Sequence, residues 1–262
     1  VAIPFHKGRR PYEQIAFQFS HHILHKDGRV EHADQYLSVA VGEFPNFDFL
    51  RKLRASLAKD NGTIFRYAAH ENTVLRQIRD QLLSTPQPDQ SELLSFIDLI
   101  TQPRSKEDGT PGTRNMRDLR QIVLDHYYHP RMGGSNSIKK VIPAVLAESK
   151  FLQKKYSAPT PSLNEPRVWV QFNADGSLKD PYTLLPPVFT DLSQTLFNDD
   201  APLFEDDSID DGGAALTAWS RMQFTEMSAP ERGAVSSALL RYCELDTLSM
   251  VWLFEYWGGG EL

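Results

Sequence analysis

The stretch EQIAFQFSHHILHKDGRVEHADQYLSV, residues 13–39, decides the fold at the start of the chain. Apolar and polar residues alternate in its first half, with Phe17 and Phe19 on one face, which is the period of a half-buried strand. The sequence Lys26-Asp-Gly-Arg29 is typical of a tight turn. Strand-like residues resume at Val30, so we predict a β-hairpin.

The residues after this hairpin alternate between helical and strand patterns. Apolar residues at helical spacing predict a helix that follows Pro45-Asn46; they are Phe47, Leu50, Leu53 and Leu57. Residues 63–69 predict a short strand, and residues 71–83 predict a second helix. The order β-β-α-β-α is the opening of an α/β domain with a mixed sheet.

The rest of the chain is predicted to be mostly helical. Helices are expected over 90–101, 116–128, 137–148 and 229–257. The last begins with Ser228-Ala-Pro-Glu231, which is a capping box with proline in the first turn. We see no internal repeat.

Proline-rich residues 157–213 predict an insertion or mobile flap on the same domain. Within it, residues 168–178 are typical of an isolated hairpin. Residues 198–211 hold seven acids and no Lys or Arg, and without them the net charge would rise from −6 to +1. This acidic segment is either a soluble loop or a screen for a basic groove.

Composition excludes several classes of protein. The 262 residues are 40% hydrophobic and 24% charged, values that exclude a collagen-like, coiled-coil or disordered chain. The single Cys243 excludes a disulfide framework, a four-cysteine zinc site and a cysteine-ligated iron–sulfur cluster.

The apolar stretch 249–257 contains Glu255 and is too short to span a bilayer. We expect a cytoplasmic protein without a membrane partner.

Two acids stand out because helical spacing places them on apolar stripes. Asp246 shares one face of the last helix with Tyr242 and four apolar residues. Glu71 shares one face of its helix with Leu75, Ile78 and Leu82. A buried carboxylate requires a partner or a metal ion. The structural alternatives are pairing with an arginine or a backbone group for Asp246 and a helix-dipole role for Glu71. If the two acids converge, they suit Mg²⁺ or Mn²⁺ in a two-metal site that cleaves phosphodiesters.

The motif Tyr242-Cys-Glu-Leu-Asp246 resembles the third motif of the DEDD (DnaQ-like, RNase H-fold) 3′–5′ exonucleases, in the subgroup that uses tyrosine. The resemblance extends to an uncharacterised bacterial domain family of that superfamily. The segments that carry it are IPFHKGRRPYEQIAFQFSHH, YAAHENTVL, GGSNSIKKVIPAVL, DPYTLLPPVF and LLRYCELDTLSMV.

The resemblance implies an RNase H-like mixed sheet flanked by helices and a 3′–5′ exonuclease that uses Mg²⁺ or Mn²⁺. Asp246 and Glu71 would be metal ligands and catalytic residues, and Tyr242 would orient the attacking water or the scissile phosphate. The expected substrate is single-stranded nucleic acid, and the expected fused or associated partner is a RecB-type nuclease domain.

One motif of that superfamily is absent from this sequence. The D-x-E motif on the first, central strand would lie just before Val1. We therefore expect residues 1–262 to be a single truncated domain that lacks its first strand and is inactive without the upstream motif.

Other residues are expected near the site. The resemblance implies Asp118, His22 and Asn72 as neighbours, although Asp118 also suits the third-position acid of a helix capped by Asn115, and His22 suits a buried core position. Basic residues suit a groove for single-stranded nucleic acid or an ordinary solvated surface; they are Arg9, Arg10, Lys139 and Lys140. A zinc site at the histidines of residues 21–25 is disfavoured because no Cys or other clear His partner accompanies them.

A second function from a different class stays open. The chain would then be a non-catalytic module that binds nucleic acid or protein within a larger nuclease or defence protein. Such a module would bind its partner without a metal ion.

Overall fold

The computed structural model describes residues 6–185 and 209–258. The chain divides into two compact units, one of residues 1–19 and 42–127 and the other of residues 20–41 and 128–262. We call them unit 1 and unit 2, and each contains its own buried residues. That residues 1–262 form one truncated domain stays a prediction.

Strands and short helices alternate at the start of the chain, and longer helices follow. In chain order the elements are β1 (Gln18–Leu24), β2 (Val30–Leu37), α1 (Asn46–Leu57), β3 (Phe65–Arg66), α2 (His70–Ser84), α3 (Gln90–Ile100), β4 (Arg117–Asp118), α4 (Leu119–His126), α5 (Ile138–Glu148), α6 (Lys150–Tyr156), α7 (Ile209–Phe224) and α8 (Ala229–Trp257). Two 3₁₀ turns cover Pro130–Met132 and Pro181–Leu184. The predicted order β-β-α-β-α is confirmed.

The core of unit 1 is built where α1, α2 and α3 pack on one another. The stripe of α2 that begins at Glu71 is buried as predicted, with Ile78 and Leu82 fully inaccessible. The buried Asn46 side chain accepts the Ala16 amide at 2.8 Å and donates to Gln81 at 2.7 Å. These bonds satisfy the amide, so its burial does not leave a polar group without a partner.

A two-stranded parallel sheet in unit 1 positions the acids of interest. Strands β3 and β4 pair with Arg66 opposite Asp118. Helix α4 begins at Leu119, after a strand, and not at residue 116 as predicted. The reason is that Asp118 is the N-cap: its side chain accepts the Arg120 amide at 3.0 Å, so the helix starts after it.

Unit 2 is built around the long helix α8. Helices α5, α6 and α7 and strand β2 all contact it. Because it has neighbours on several sides, buried residues occur around most of its circumference; among them are Leu239, Leu245, Leu248 and Trp252. Its predicted bounds are confirmed, and so is its capping box, in which Ser228 and Glu231 satisfy each other's backbone amides.

The predicted hairpins are present. Strands β1 and β2 form a two-stranded sheet closed by a turn in which the His25 amide donates to the Arg29 carbonyl at 2.9 Å. The later hairpin is reduced to an antiparallel bridge between Phe172 and Leu178, with Gly176 at a φ of 80° in its turn. The sequence prediction missed α6 and α7. Residues 198–208 of the acidic segment lie outside the described residues.

The architecture is therefore mixed α and β. In the described part of the chain the strands form two separate two-stranded sheets, β1 with β2 and β3 with β4. The finer RNase H-like arrangement stays a prediction. None of the helices in these described residues has the length and apolar character needed to span a bilayer.

The capping box of α8 gives a stability prediction. Ser228→Ala removes the side-chain oxygen that accepts the Glu231 amide, and we expect unfolding to become about 1 kcal/mol easier. Ser228→Asp keeps an acceptor and should retain most of the stability. Urea unfolding followed by circular dichroism measures both variants, and equal midpoints for the alanine variant and the native protein would contradict the prediction.

Candidate functional site

A strained corner in unit 1 joins β3 to α2. Ala68 has a φ of 73°, in the left-handed region that residues with a side chain rarely adopt. Its amide donates to Asp118 Oδ1 at 2.9 Å, and the Arg66 guanidinium donates to its carbonyl. Arg66 also pairs with Asp118 Oδ2 at 2.9 Å. These contacts fix the turn from which α2 starts.

Glu71 lies in the first turn of α2, directly after this corner. Its Oε2 is buried and accepts no hydrogen bond from the residues that the structure describes. Burial raises the pKa of this carboxyl to about 7, and the neighbouring Arg66 opposes that rise only in part. A buried carboxylate oxygen without a donor is suited to a proton or a cation.

The position of Glu71 agrees with a general rule for parallel sheets. Ligands of open α/β folds bind outside the carboxyl ends of the strands. Glu71 follows the carboxyl end of β3, and Asp118 is the last residue of the paired strand β4. Unit 1 therefore brings together two of the predicted acids, one in an ion pair and one with a buried, unsatisfied oxygen.

Two other predicted residues of unit 1 have structural partners. Asn72 is buried, donates to the Gln102 carbonyl at 3.1 Å and accepts the Gln102 amide at 2.9 Å, so its amide is occupied. The Arg9 guanidinium lies 3.8 Å from the Phe44 ring centroid. Arg10, in contrast, is exposed.

In unit 2, Tyr242 and Asp246 lie one turn apart on α8, as predicted. Asp246 is half-buried, and its Oδ1 accepts a hydrogen bond of 2.9 Å from the hydroxyl of Tyr182. Burial and the Asp246 carboxylate together raise the pKa of Tyr182 well above its usual value. The hydroxyl of Tyr182 thus stays protonated and holds the carboxylate in place. A tyrosine hydroxyl is thus a partner of Asp246 that was not considered from sequence.

A lysine completes this cluster. Lys139 Nζ lies 4.8 Å from the ring centroid of Tyr242 and 5.0 Å from that of Tyr182. Both distances are within the range of a cation–π contact. Burial raises the pKa of nearby Asp180, and the positive charges of Lys140 and Lys139 reduce that rise. We call Lys139, Tyr182, Tyr242 and Asp246 the α8 cluster.

His22 lies beside the α8 cluster along the helix. Its Nδ1 is 2.7 Å from the hydroxyl of Thr247, the residue after Asp246, and its ring stacks on His32 at 4.6 Å. Burial lowers the pKa of both histidines, so both are neutral at pH 7. His22 is therefore a buried residue next to a predicted ligand, which agrees with both roles considered from sequence.

The Ser20 and His32 pair does not have the geometry of a nucleophile and its base. The two side chains are 3.0 Å apart, but His32 Nδ1 accepts the Leu163 amide at 3.2 Å. The proton of the neutral ring must then reside on Nε2, which faces Ser20. His32 donates to Ser20 and does not remove its proton.

The most buried acids of α8 are two that the sequence prediction did not select. Glu244 is paired with Arg241 at 3.2 Å and accepts from Asn164 at 2.7 Å. Glu255 accepts from the Tyr156 hydroxyl at 2.6 Å and pairs with Lys155. Both are fully compensated. The position of Glu255 inside the apolar stretch 249–257 was the signal that could have indicated its burial.

Carboxylate oxygens are the ligands that Mg²⁺ and Mn²⁺ prefer. Within residues 6–185 and 209–258, no group of three or more His, Cys, Asp or Glu residues has the arrangement of a metal site. Glu71 and Asp246 belong to different units, and a shared metal site remains a prediction. The described residues thus supply individual candidate ligands and no complete centre.

Comparison with known families gives one match. The family model described as a domain of unknown function (DUF2779) matches residues 1–137, just over half of the chain. These residues include Glu71 and Asp118 and exclude Tyr242 and Asp246. Searches of curated proteins and of solved structures give no significant match.

The raised pKa of Glu71 predicts a pH-dependent stability. In the folded state the Glu71 carboxyl stays protonated up to about pH 7. In the unfolded state it has the usual pKa of 4.5 and loses its proton at lower pH. Between these values the folded state binds more protons, so the free energy of unfolding falls as pH rises. Glu71→Gln should remove this fall. The stability of the variant relative to the native protein should therefore be higher at pH 8 than at pH 5.

The test is to measure urea unfolding midpoints of the variant and the native protein at pH 5 and at pH 8. The difference between the two proteins should be larger at pH 8. Glu92→Gln is the matched control, because Glu92 is an exposed acid in the first turn of α3. An identical pH response of the native protein and Glu71→Gln would show that Glu71 keeps an ordinary pKa.

Proposed function

We propose that this chain, which belongs to the DUF2779 family, is a domain of a divalent-metal-dependent 3′–5′ exonuclease that acts on single-stranded nucleic acid. The proposal includes an RNase H-like arrangement of its strands and helices. The observation that carries it is the α8 cluster: an acid, a tyrosine one turn away and a lysine over the tyrosine ring. In the proposal these three groups act beside the scissile bond.

Each residue of the cluster has a separate task in this proposal. Asp246 is a metal ligand, and Tyr182 keeps one of its oxygens oriented through the 2.9 Å hydrogen bond. Lys139 provides a positive charge for the phosphate, held in position by the two rings. The Tyr242 hydroxyl orients the water or the scissile phosphate, as the resemblance implies.

Glu71 is the second acid of the proposal. Its support is the buried Oε2 that accepts no hydrogen bond from the described residues, together with its place after the carboxyl end of β3. Because no complete metal group is present in those residues, the proposal requires further acids from outside them. The full-length protein is therefore the material to test.

The nuclease activity is tested with 5′-labelled single-stranded DNA and RNA in Mn²⁺. Asp246→Asn and Glu71→Gln should each abolish shortening of the labelled strand, because each removes a charged ligand. Tyr182→Phe should lower the rate about 10- to 100-fold, since it removes only the hydrogen bond that orients Asp246.

Glu148→Gln is the matched control for these variants. Glu148 also accepts a tyrosine hydroxyl, that of Tyr256 at 2.7 Å, but it is exposed and outside the α8 cluster. We expect full activity from it. Cleavage that survives Asp246→Asn would reject the proposal.

One observation favours a second function, the non-catalytic binding module. The described residues contain no group of three or more side chains that could hold a metal ion. Calorimetric titration with Mn²⁺ separates the two functions. A nuclease domain should bind Mn²⁺ and lose affinity in Glu71→Gln, whereas a binding module should retain oligonucleotide or protein affinity in EDTA and show no Mn²⁺ binding.

A further inference from the structure

A tyrosine near the start of unit 1 combines strain with exposure. Tyr12 has a φ of 62°, a left-handed conformation that is a genuine outlier for a bulky residue. Its side chain is nevertheless 72% exposed, so burial of the ring does not compensate for the strain. Strained residues of this kind cluster at functional sites, where the geometry serves binding.

The loop that carries Tyr12 is anchored on its inner side. The Arg9 guanidinium lies 3.8 Å from the Phe44 ring centroid and 5.3 Å from that of Phe47. His6 is buried and meets Phe44 edge-to-face at 5.6 Å. Because these contacts lie within unit 1, the loop that presents Tyr12 has a fixed base.

The outer side of the same loop is positively charged. Lys7 and Arg10 are exposed, and they are the charged residues among the exposed positions from 7 to 12. Arg9 contributes its charge inward, against Phe44. The loop therefore carries an exposed aromatic ring two residues after Arg10 and five residues after Lys7, and none of its exposed residues from 7 to 12 is an acid.

We infer that Tyr12 is a stacking platform for an unpaired base, with Lys7 and Arg10 contacting phosphates of the same strand. The inference rests on the proposed function and adds to it the residue that holds the single strand. Aromatic side chains flanked by Lys and Arg are the usual means of binding single strands without sequence preference. Because only an unstacked base offers its face to a side chain, the loop fits a single strand and not a duplex.

Binding is measured with the full chain and fluorescently labelled oligonucleotides in EDTA, so that no cleavage occurs. Tyr12→Asn should weaken single-strand binding about 5- to 100-fold, the loss expected for one stacked base. Tyr12→Phe keeps the ring and should bind nearly as the native protein does. The Lys7→Ala/Arg10→Ala double variant should reduce the salt slope of log K by about 1.4.

Stability separates a binding role from a structural one. Asparagine tolerates the left-handed region better than tyrosine does, so Tyr12→Asn should unfold at the same urea concentration as the native protein or at a higher one. Phe172→Asn, which removes another exposed ring, is the matched control and should leave binding unchanged. Weaker binding accompanied by a lower unfolding midpoint in Tyr12→Asn would overturn the inference.

A direct readout comes from Tyr12→Trp. Trp169, Trp219 and Trp252 are fully buried and Trp257 is partly exposed. An exposed indole at position 12 should therefore add red-shifted emission to the native spectrum, and a single strand should quench the added emission whereas a duplex should not. Phe172→Trp should show no such quenching. Equal binding by the native protein and Tyr12→Asn, or equal quenching by duplex and single strand, would also overturn the inference.

The result is independent of the nuclease assay. If Tyr12→Asn loses single-strand affinity and the native full-length protein cleaves nothing in Mn²⁺, the stacking platform stands and the exonuclease proposal fails. If the native protein cleaves the strand and Tyr12→Asn binds as the native protein does, the exonuclease proposal stands and the stacking platform fails.

Discussion

The carboxylate of Asp118 holds the most constrained part of unit 1. One of its oxygens accepts the amides of Ala68 and Arg120, and the other pairs with Arg66. It thereby caps α4, fixes the end of β3 and holds Ala68 in a left-handed conformation. A left-handed residue with a side chain costs roughly 1–2 kcal/mol, which the three contacts offset. The direction in which α2 leaves the sheet, and with it Glu71, depends on this one side chain.

Unit 2 shows how buried acids differ in chemistry according to their partners. Glu244 and Glu255 are the most buried acids of α8, and each has a cation and a neutral donor, so their charges are compensated within the fold. Such pairs can be structural without contributing much to stability. Asp246 is less buried and accepts from the hydroxyl of Tyr182. Burial alone would have selected Glu244 and Glu255, whereas the sequence pattern selected Asp246, the acid of the proposal.

Aromatic rings position cations in both units, with different consequences. Arg9 lies over Phe44 and is directed into unit 1, so its charge anchors a loop. Lys139 lies over Tyr182 and Tyr242, beside a carboxylate. The same kind of cation–π contact therefore stabilises a loop in unit 1 and positions a lysine in the candidate site of unit 2. Of the four basic residues selected from sequence, Arg9 and Lys139 have these aromatic partners, and Arg10 and Lys140 are exposed.

The sequence by itself determined the local elements. Alternation predicted the first hairpin, helical spacing predicted α1 and α2, and the Ser228 capping box predicted where α8 begins, because each is decided by neighbours a few residues apart. Only the tertiary structure decided where α4 begins, that Tyr182 is a partner of Asp246, and that the Glu71 carboxyl lies buried behind a strained turn. Those features depend on residues up to 64 positions apart, and chain spacing carries no signal for such contacts.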